Sequence, residues 1–106
     1  MRKLGSEVES LPGQRRISIV LGDQLLRAGT SIAANVEESR GAQSKADFTS
    51  KMNIAYKESR ETVMWLRMIR DVRLIPEEKM TDIIQEAKEI RAILGSSVKR
   101  SKRNTK

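Results

Sequence analysis

Apolar side chains recur every third or fourth residue after Pro76, and this spacing is the strongest constraint that the chain places on its fold. The residues that show it are Met80, Ile83, Ile84, Ala87, Ile90 and Leu94. Because an α-helix has about 3.6 residues per turn, they form one face that must be buried against a partner. The pattern predicts an amphipathic helix over about 77–95, which Pro76 begins and Gly95 ends.

Two earlier segments carry the same helical periodicity. The first covers about 16–39, and its apolar flank contains Leu21, Leu25, Ala28 and Ile32. The second covers about 45–73 and carries two apolar stripes, which predicts more than one packing neighbour. Ser44 precedes it as a capping residue, with Asp47 at the third helical position. Gly22 and Gly29 add small residues to the first segment, where we expect another helix to pack closely.

The N-terminal residues predict only a short helix. Leu4, Val8 and Leu11 have helical spacing, but the segment of about 2–10 is short for a stable helix. Pro12 and Gly13 then predict a turn. The sequence therefore predicts an all-α protein, an antiparallel up-and-down four-helix bundle whose first helix is truncated. Either the native start lies upstream of Met1, or the first helix is short.

The composition argues against catalysis and against a bound metal or cofactor. The chain has 106 residues with no cysteine and no histidine, which removes thiol, imidazole and zinc–thiolate chemistry. Paired carboxylates occur at Glu58/Glu61 and Glu86/Glu89, but surface ion pairs explain them, such as Glu61 with Lys57. No apolar run approaches the roughly 20 residues that span a bilayer. We therefore expect a non-enzymatic, cytoplasmic protein without a cofactor and without a membrane partner.

The positive charge is concentrated in two places. The net charge is +7, and five of the 21 basic residues fall within the last eight positions. We expect a bundle over 1–98 and a disordered basic tail over 99–106. Basic clusters bind phosphate backbones without reading sequence. The alternatives are a solubilising tail and an ordinary solvated helix face. The candidate nucleic-acid-binding residues are Lys57, Arg60, Arg67 and Arg70 on the long helix and Lys99, Arg100, Lys102 and Arg103 in the tail.

Three motifs resemble a known family. They are R-x-G-T-S-I-x-x-N at 27–35, S-K-x-D-F at 44–48 and K-E-x-x-E-T-x-x-W-L-R at 57–67. Together they resemble the four-helix-bundle proteins encoded in intervening sequences of bacterial 23S ribosomal RNA, over about 15–95. That family is similar to the accessory variability protein of diversity-generating retroelements, a basic pentameric barrel that associates with reverse transcriptase and nucleic acid.

The resemblance implies a homo-oligomer, with a pentamer as the example, that contacts RNA, DNA or a nucleic-acid enzyme such as a reverse transcriptase. It also implies a longer first helix than this chain has. Without that helix, the next two helices would expose apolar surface, which favours self-association. The alternative is a protein–protein scaffold or adaptor that makes no direct contact with nucleic acid.

Overall fold

The structure of the protein is a computed structural model that describes residues 14–104. This part of the chain forms three long helices. They are α1 (Gln14–Arg40), α2 (Lys45–Asp71) and α3 (Glu77–Asn104). Short connections make the neighbours antiparallel. Within the described residues, α1 and α3 each pack against α2, and no Cα atom of α1 lies within 8 Å of a Cα atom of α3. None of the three helices is long and apolar enough to cross a membrane.

The all-helical prediction is confirmed, but the four-helix bundle is not, since the described residues form three helices. The predicted short helix over about 2–10 lies outside the described residues. The structure also differs at the other end, where α3 continues to Asn104 instead of ending near Gly95. Residues 99–104 are helical, not a disordered tail, because Val98 and Ser101 are buried and extend the apolar spacing of α3 past the glycine.

The core consists of two clusters along α2. The cluster near the α2–α3 connection contains Leu21, Val63, Leu66, Ile69, Met80, Ile84 and Ala87. The other, near the start of α2, contains Met52, Ala55, Leu94 and Val98. Between them, the small side chains of Ala28 and Ser59 are fully buried. The second apolar stripe predicted on the long helix, through Ile54, Trp65, Met68 and Val72, is only partly buried, because Ile54 and Met68 remain exposed.

The first turn of α2 is capped as its sequence predicts. The Ser44 hydroxyl accepts a hydrogen bond from the backbone N–H of Asp47 at 3.0 Å. The Asp47 carboxylate reaches back one residue beyond the cap and accepts from the N–H of Gln43 at 3.3 Å. The two bonds satisfy the backbone N–H groups of Asp47 and Gln43, which have no acceptor within the helix. They fix the start of α2.

Arg27 joins two of the three sequence motifs. Its guanidinium donates to Glu58 at 3.2 Å and to Glu61 at 2.6 Å, across the α1–α2 contact. Glu61 therefore pairs with Arg27 and not with Lys57 as expected. Desolvation lowers the pKa of Arg27, but the two carboxylates outweigh it and raise the pKa above its ordinary value. These motif residues hold α1 against α2.

An arginine occupies a position that usually belongs to glycine at the end of α2. Arg73 has a φ of 58°, in the left-handed region. The N–H of Arg73 bonds to the carbonyl of Arg70 at 3.0 Å, and the N–H of Leu74 bonds to that of Ile69 at 3.3 Å. This pair of bonds is the Schellman motif, in which the left-handed residue is most often glycine because a β-carbon is strained there.

Replacing this arginine with glycine should therefore stabilise the protein. We expect Arg73→Gly to raise the free energy of unfolding by about 1 kcal/mol, since it removes the left-handed strain from an exposed residue. Urea unfolding followed by circular dichroism measures the change. Arg73→Ala is the matched control, because it removes the same charge but keeps the β-carbon. Equal stability of the two variants would contradict this account.

Candidate nucleic-acid interface

A surface groove runs along the seam between α2 and α3, and all the residues that line it belong to these two helices. It consists of three adjoining hollows of about 340, 490 and 450 Å³ that open to solvent. The first two share Asn53 and Lys102, and the last two share Arg91. Ala46 and Arg67 mark its ends and are 21 residues apart on α2. At about 1.5 Å of rise per residue, the groove is about 32 Å long.

Cationic side chains line this groove along its whole length. The groove cations are Lys57, Arg60, Arg67, Arg91, Lys99 and Lys102. Glu61 is the one carboxylate among the lining residues, and Arg27 already pairs with it. Since no other acid lines the hollows, the positive charges add along one line and create an extended positive potential.

Five of the groove cations have no carboxylate partner within the described part of the chain. They are Lys57, Arg60, Arg67, Arg91 and Lys99. Arg60 lies over the ring of Tyr56, with its guanidinium carbon 5.9 Å from the ring centroid. Ion pairs elsewhere on the surface, such as Lys51 with Glu38 at 3.3 Å, show that nearby acids are used where they exist. The groove therefore has capacity for external anions.

Helical phase explains how residues far apart in sequence meet in this groove. On α3, Arg91, Gly95, Lys99 and Lys102 are separated by four, four and three residues, which keeps them on one face. That face continues only because the helix extends beyond Gly95. The last turn is anchored by a hydrogen bond between the hydroxyls of Thr49 and Ser101. Residues predicted to be a separate tail thus lie beside the basic stripe of α2.

The centre of the groove is aromatic. A β-carbon on Gly95 would lie 3.0 Å from Cε1 of Tyr56, so the absence of a side chain lets the ring rest on α3. Asn53 lies one helical turn before Tyr56 and lines the same hollow. The half-buried ring is thus flanked by an amide on one side along α2 and by Arg60 on the other.

Not every predicted residue belongs to this groove. Lys57, Arg60, Arg67, Lys99 and Lys102 line it. The remaining three, Arg70, Arg100 and Arg103, do not; Arg70 bonds to the neighbouring Asp71 at 3.2 Å, and the other two are exposed at the end of α3.

Sequence reasoning missed Arg91, Asn53, Tyr56 and Gly95. The available signal was the spacing of Arg91 and Lys99, eight residues apart on one helix face. Because the helix was predicted to end at Gly95, Arg91 and Lys99 were not placed on one helix face.

The contact between Gly95 and Tyr56 has a measurable consequence for stability. At an open helix position, replacing glycine with alanine adds about 1 kcal/mol to the free energy of unfolding. We expect no gain from Gly95→Ala, because the new methyl group meets the tyrosine ring. In the Tyr56→Ala background the space is open, and the full gain should return.

A double-mutant cycle measured by thermal or urea unfolding gives the coupling between the two positions, which we expect to be about 1 kcal/mol. If Gly95→Ala were equally favourable in both backgrounds, the close approach of ring and helix would not exist in solution.

The comparisons with known proteins agree with this architecture. Residues 7–96 match the 23S rRNA-intervening sequence protein family. A solved structure from Bacteroides thetaiotaomicron VPI-5482, described as a protein of unknown function from the S23 ribosomal protein family, is 44% identical. The alignment covers 76% of this chain and 74% of that chain, with a TM-score of 0.72. No curated protein matches the chain. The chain belongs to the 23S rRNA-intervening sequence protein family.

Proposed function

We propose that this protein is a non-enzymatic, oligomeric helical protein that binds the phosphate backbone of RNA or DNA along the α2–α3 groove. The observation that carries the proposal is the alignment of six cations along a groove of about 32 Å at one helix seam, five of them without a carboxylate partner among the described residues. The partner can be the nucleic acid itself or its complex with an enzyme such as a reverse transcriptase, as the family resemblance implies.

The shape of the groove favours contact with the backbone over reading of bases. Its hollows are open to solvent and lie between two packed helices, and in residues 14–104 no separate recognition helix or β-ribbon is available to enter the major groove of a duplex. Lysine and arginine side chains of this kind neutralise phosphates and release counterions. We therefore expect affinity that depends on salt concentration and little on sequence.

The arrangement of carboxylates supports a non-enzymatic function. Glu58 and Glu61 both accept hydrogen bonds from Arg27, which holds them in a structural role at the α1–α2 contact. In residues 14–104, no group of three or more acidic side chains is placed to hold a metal ion. The groove therefore presents cationic side chains to solvent, and we propose that these side chains bind a ligand and do not catalyse a reaction.

Salt dependence tests the proposal most directly. If all six groove cations contact phosphates, duplex DNA binding should weaken roughly 1,000-fold between about 50 and 200 mM salt. We expect the double variant Lys57→Gln/Lys99→Gln to bind more weakly and to lower the slope of log affinity against log salt by about 2. Fluorescence anisotropy with labelled RNA and DNA measures both quantities.

The matched control for this experiment is Lys79→Gln/Arg100→Gln. It removes the same net charge, and both residues are exposed on α3 away from the groove hollows. We expect its slope to equal that of the wild-type protein. Equal losses in the two double variants would mean that net charge, and not the groove, attracts the nucleic acid. No binding by the wild-type protein at low salt would rule the function out.

A second candidate function, a protein–protein scaffold, is favoured by apolar side chains on the outer faces of α1 and α3. Leu26 is 70% exposed, Ile93 67% and Ile19 57%. Within the described residues, nothing lies within 4 Å of the β-carbon positions of Gly22 and Gly29, so the expected close packing on these glycines is not found. Exposed apolar surface of this extent favours association, either with a second copy, as in the proposed oligomer, or with another protein.

Sedimentation velocity tests whether these faces hold copies of the chain together. We expect the wild-type protein to sediment as an oligomer and Leu26→Gln/Ile93→Gln to shift it toward the monomer, because each substitution places an amide where an apolar contact forms. Lys79→Gln is the control, since it changes an exposed polar residue of α3. A wild-type monomer at micromolar concentration would contradict self-association and leave a different protein as the partner of these faces.

A further inference from the structure

The central hollow of the groove has the size and the chemistry of a nucleotide site. We propose that it takes one unpaired nucleotide of a single strand, with the base against Tyr56 and the adjacent phosphates on the flanking cations. This inference rests on the proposed function and narrows it to strands that contain unpaired bases. Three observations carry it: the position of the tyrosine ring, the free amide beside it and the cations on both sides.

The first observation is the seat of the ring. Tyr56 is half-buried, with its Cε1 edge against Gly95, and it lines a hollow of about 490 Å³. Pockets for small ligands typically have about 300–1,000 Å³. Arg60 already lies over the ring at 5.9 Å. Arg60 lines the adjacent hollow and not this one, so a base that stacks on the same face of Tyr56 would take the place of the Arg60 guanidinium, a planar group that packs on an aromatic ring much as a base does.

The second observation is the amide of Asn53. It lines the same hollow, and no described residue forms a hydrogen bond with its side chain. An amide offers one acceptor and two donors in one plane. These match the hydrogen-bonding edge of an unpaired base, which is hidden in a duplex by its complementary strand. The hollow therefore favours a base that has left its partner, because only then is that edge accessible.

The third observation is the order of charges along the groove. Lys99 and Lys102 lie on one side of the Tyr56 position, and Lys57 and Arg67 lie toward the other side, while Arg91 borders both hollows. A strand that follows the groove thus meets cations before and after the aromatic centre. Alternation of phosphate contacts with a stacking surface is the usual design of single-strand binding sites.

Replacement of the ring tests the inference. We expect Tyr56→Leu to weaken binding of a 12-nucleotide single-stranded RNA by roughly 5- to 150-fold, the range that loss of one stacked base gives. Binding of a 12-base-pair RNA duplex should change by less than about twofold, and the salt dependence should not change, because the phosphate contacts remain. Tyr56→Phe keeps the ring and should bind both ligands like the wild-type protein.

The outcomes separate this inference from the proposed function. If Tyr56→Leu weakened single-strand and duplex binding equally, or neither, while duplex binding kept its salt dependence, the nucleotide site would be wrong and the phosphate-binding function would stand. If the wild-type protein bound neither ligand at low salt, both would fail. Saturable binding of free uridine monophosphate that Tyr56→Leu abolishes would support the nucleotide site, whereas binding that Tyr56→Leu leaves unchanged would place the base elsewhere and overturn the assignment.

Photo-crosslinking of the wild-type protein removes any dependence on how the variants fold. A single-stranded RNA that carries one 5-iodouridine should form a crosslink to Tyr56, and digestion followed by mass spectrometry locates the attachment. Crosslinks confined to residues outside the central hollow would overturn the proposal, even if the strand binds tightly.

Discussion

The burial of α2 between two neighbours is the constraint on which the rest of the structure depends. Because no Cα atoms of α1 and α3 lie within 8 Å of each other in residues 14–104, the two outer helices are held together mainly by their packing against α2. Its residues Ala55, Ser59 and Val63 are at most 1% exposed. These small side chains occupy the middle of the helix, where both neighbours meet it. A larger side chain at one of these positions would disturb the packing of α2 against α1 and against α3 at the same time.

This arrangement also determines where a binding surface can form. One side of α2 is taken by the ion pairs of Arg27 and another by the core of α3. The seam between α2 and α3 is open to solvent, and the cations without a carboxylate partner lie along it. The acids of α2 that could have neutralised them, Glu58 and Glu61, are held by α1 instead. The same contact that stabilises the α1–α2 pair therefore leaves the groove positive.

The sequence predicts the helical class and most element positions because apolar spacing, Ser44 and Pro76 are local signals that tertiary contacts reinforce. It does not predict that α3 passes through Gly95. Glycine usually weakens a helix, but here Tyr56 fills the space beside it, and a residue from another helix cannot be seen in the spacing of α3. The same limit applies to the groove: two basic segments are evident in the sequence, but that they adjoin depends on the antiparallel register of α2 and α3. The pairing of Glu61 with Arg27 instead of Lys57 was missed for the same reason.

Because α3 continues to Asn104, its basic residues near that end have fixed positions around the helix axis, in addition to their total charge. In a disordered segment, only the number of cations near a ligand matters, and their order can be shuffled freely. In a helix, each residue turns the next by about 100°, so one residue inserted after Val98 would rotate Lys99 and Lys102 off the seam while the net charge stayed the same. It would also turn Ser101 away from Thr49. The last turns of α3 are therefore constrained by helical register as well as by charge. An insertion of a whole number of helical turns would keep Lys99 and Lys102 on the seam, whereas an insertion of intermediate length would not.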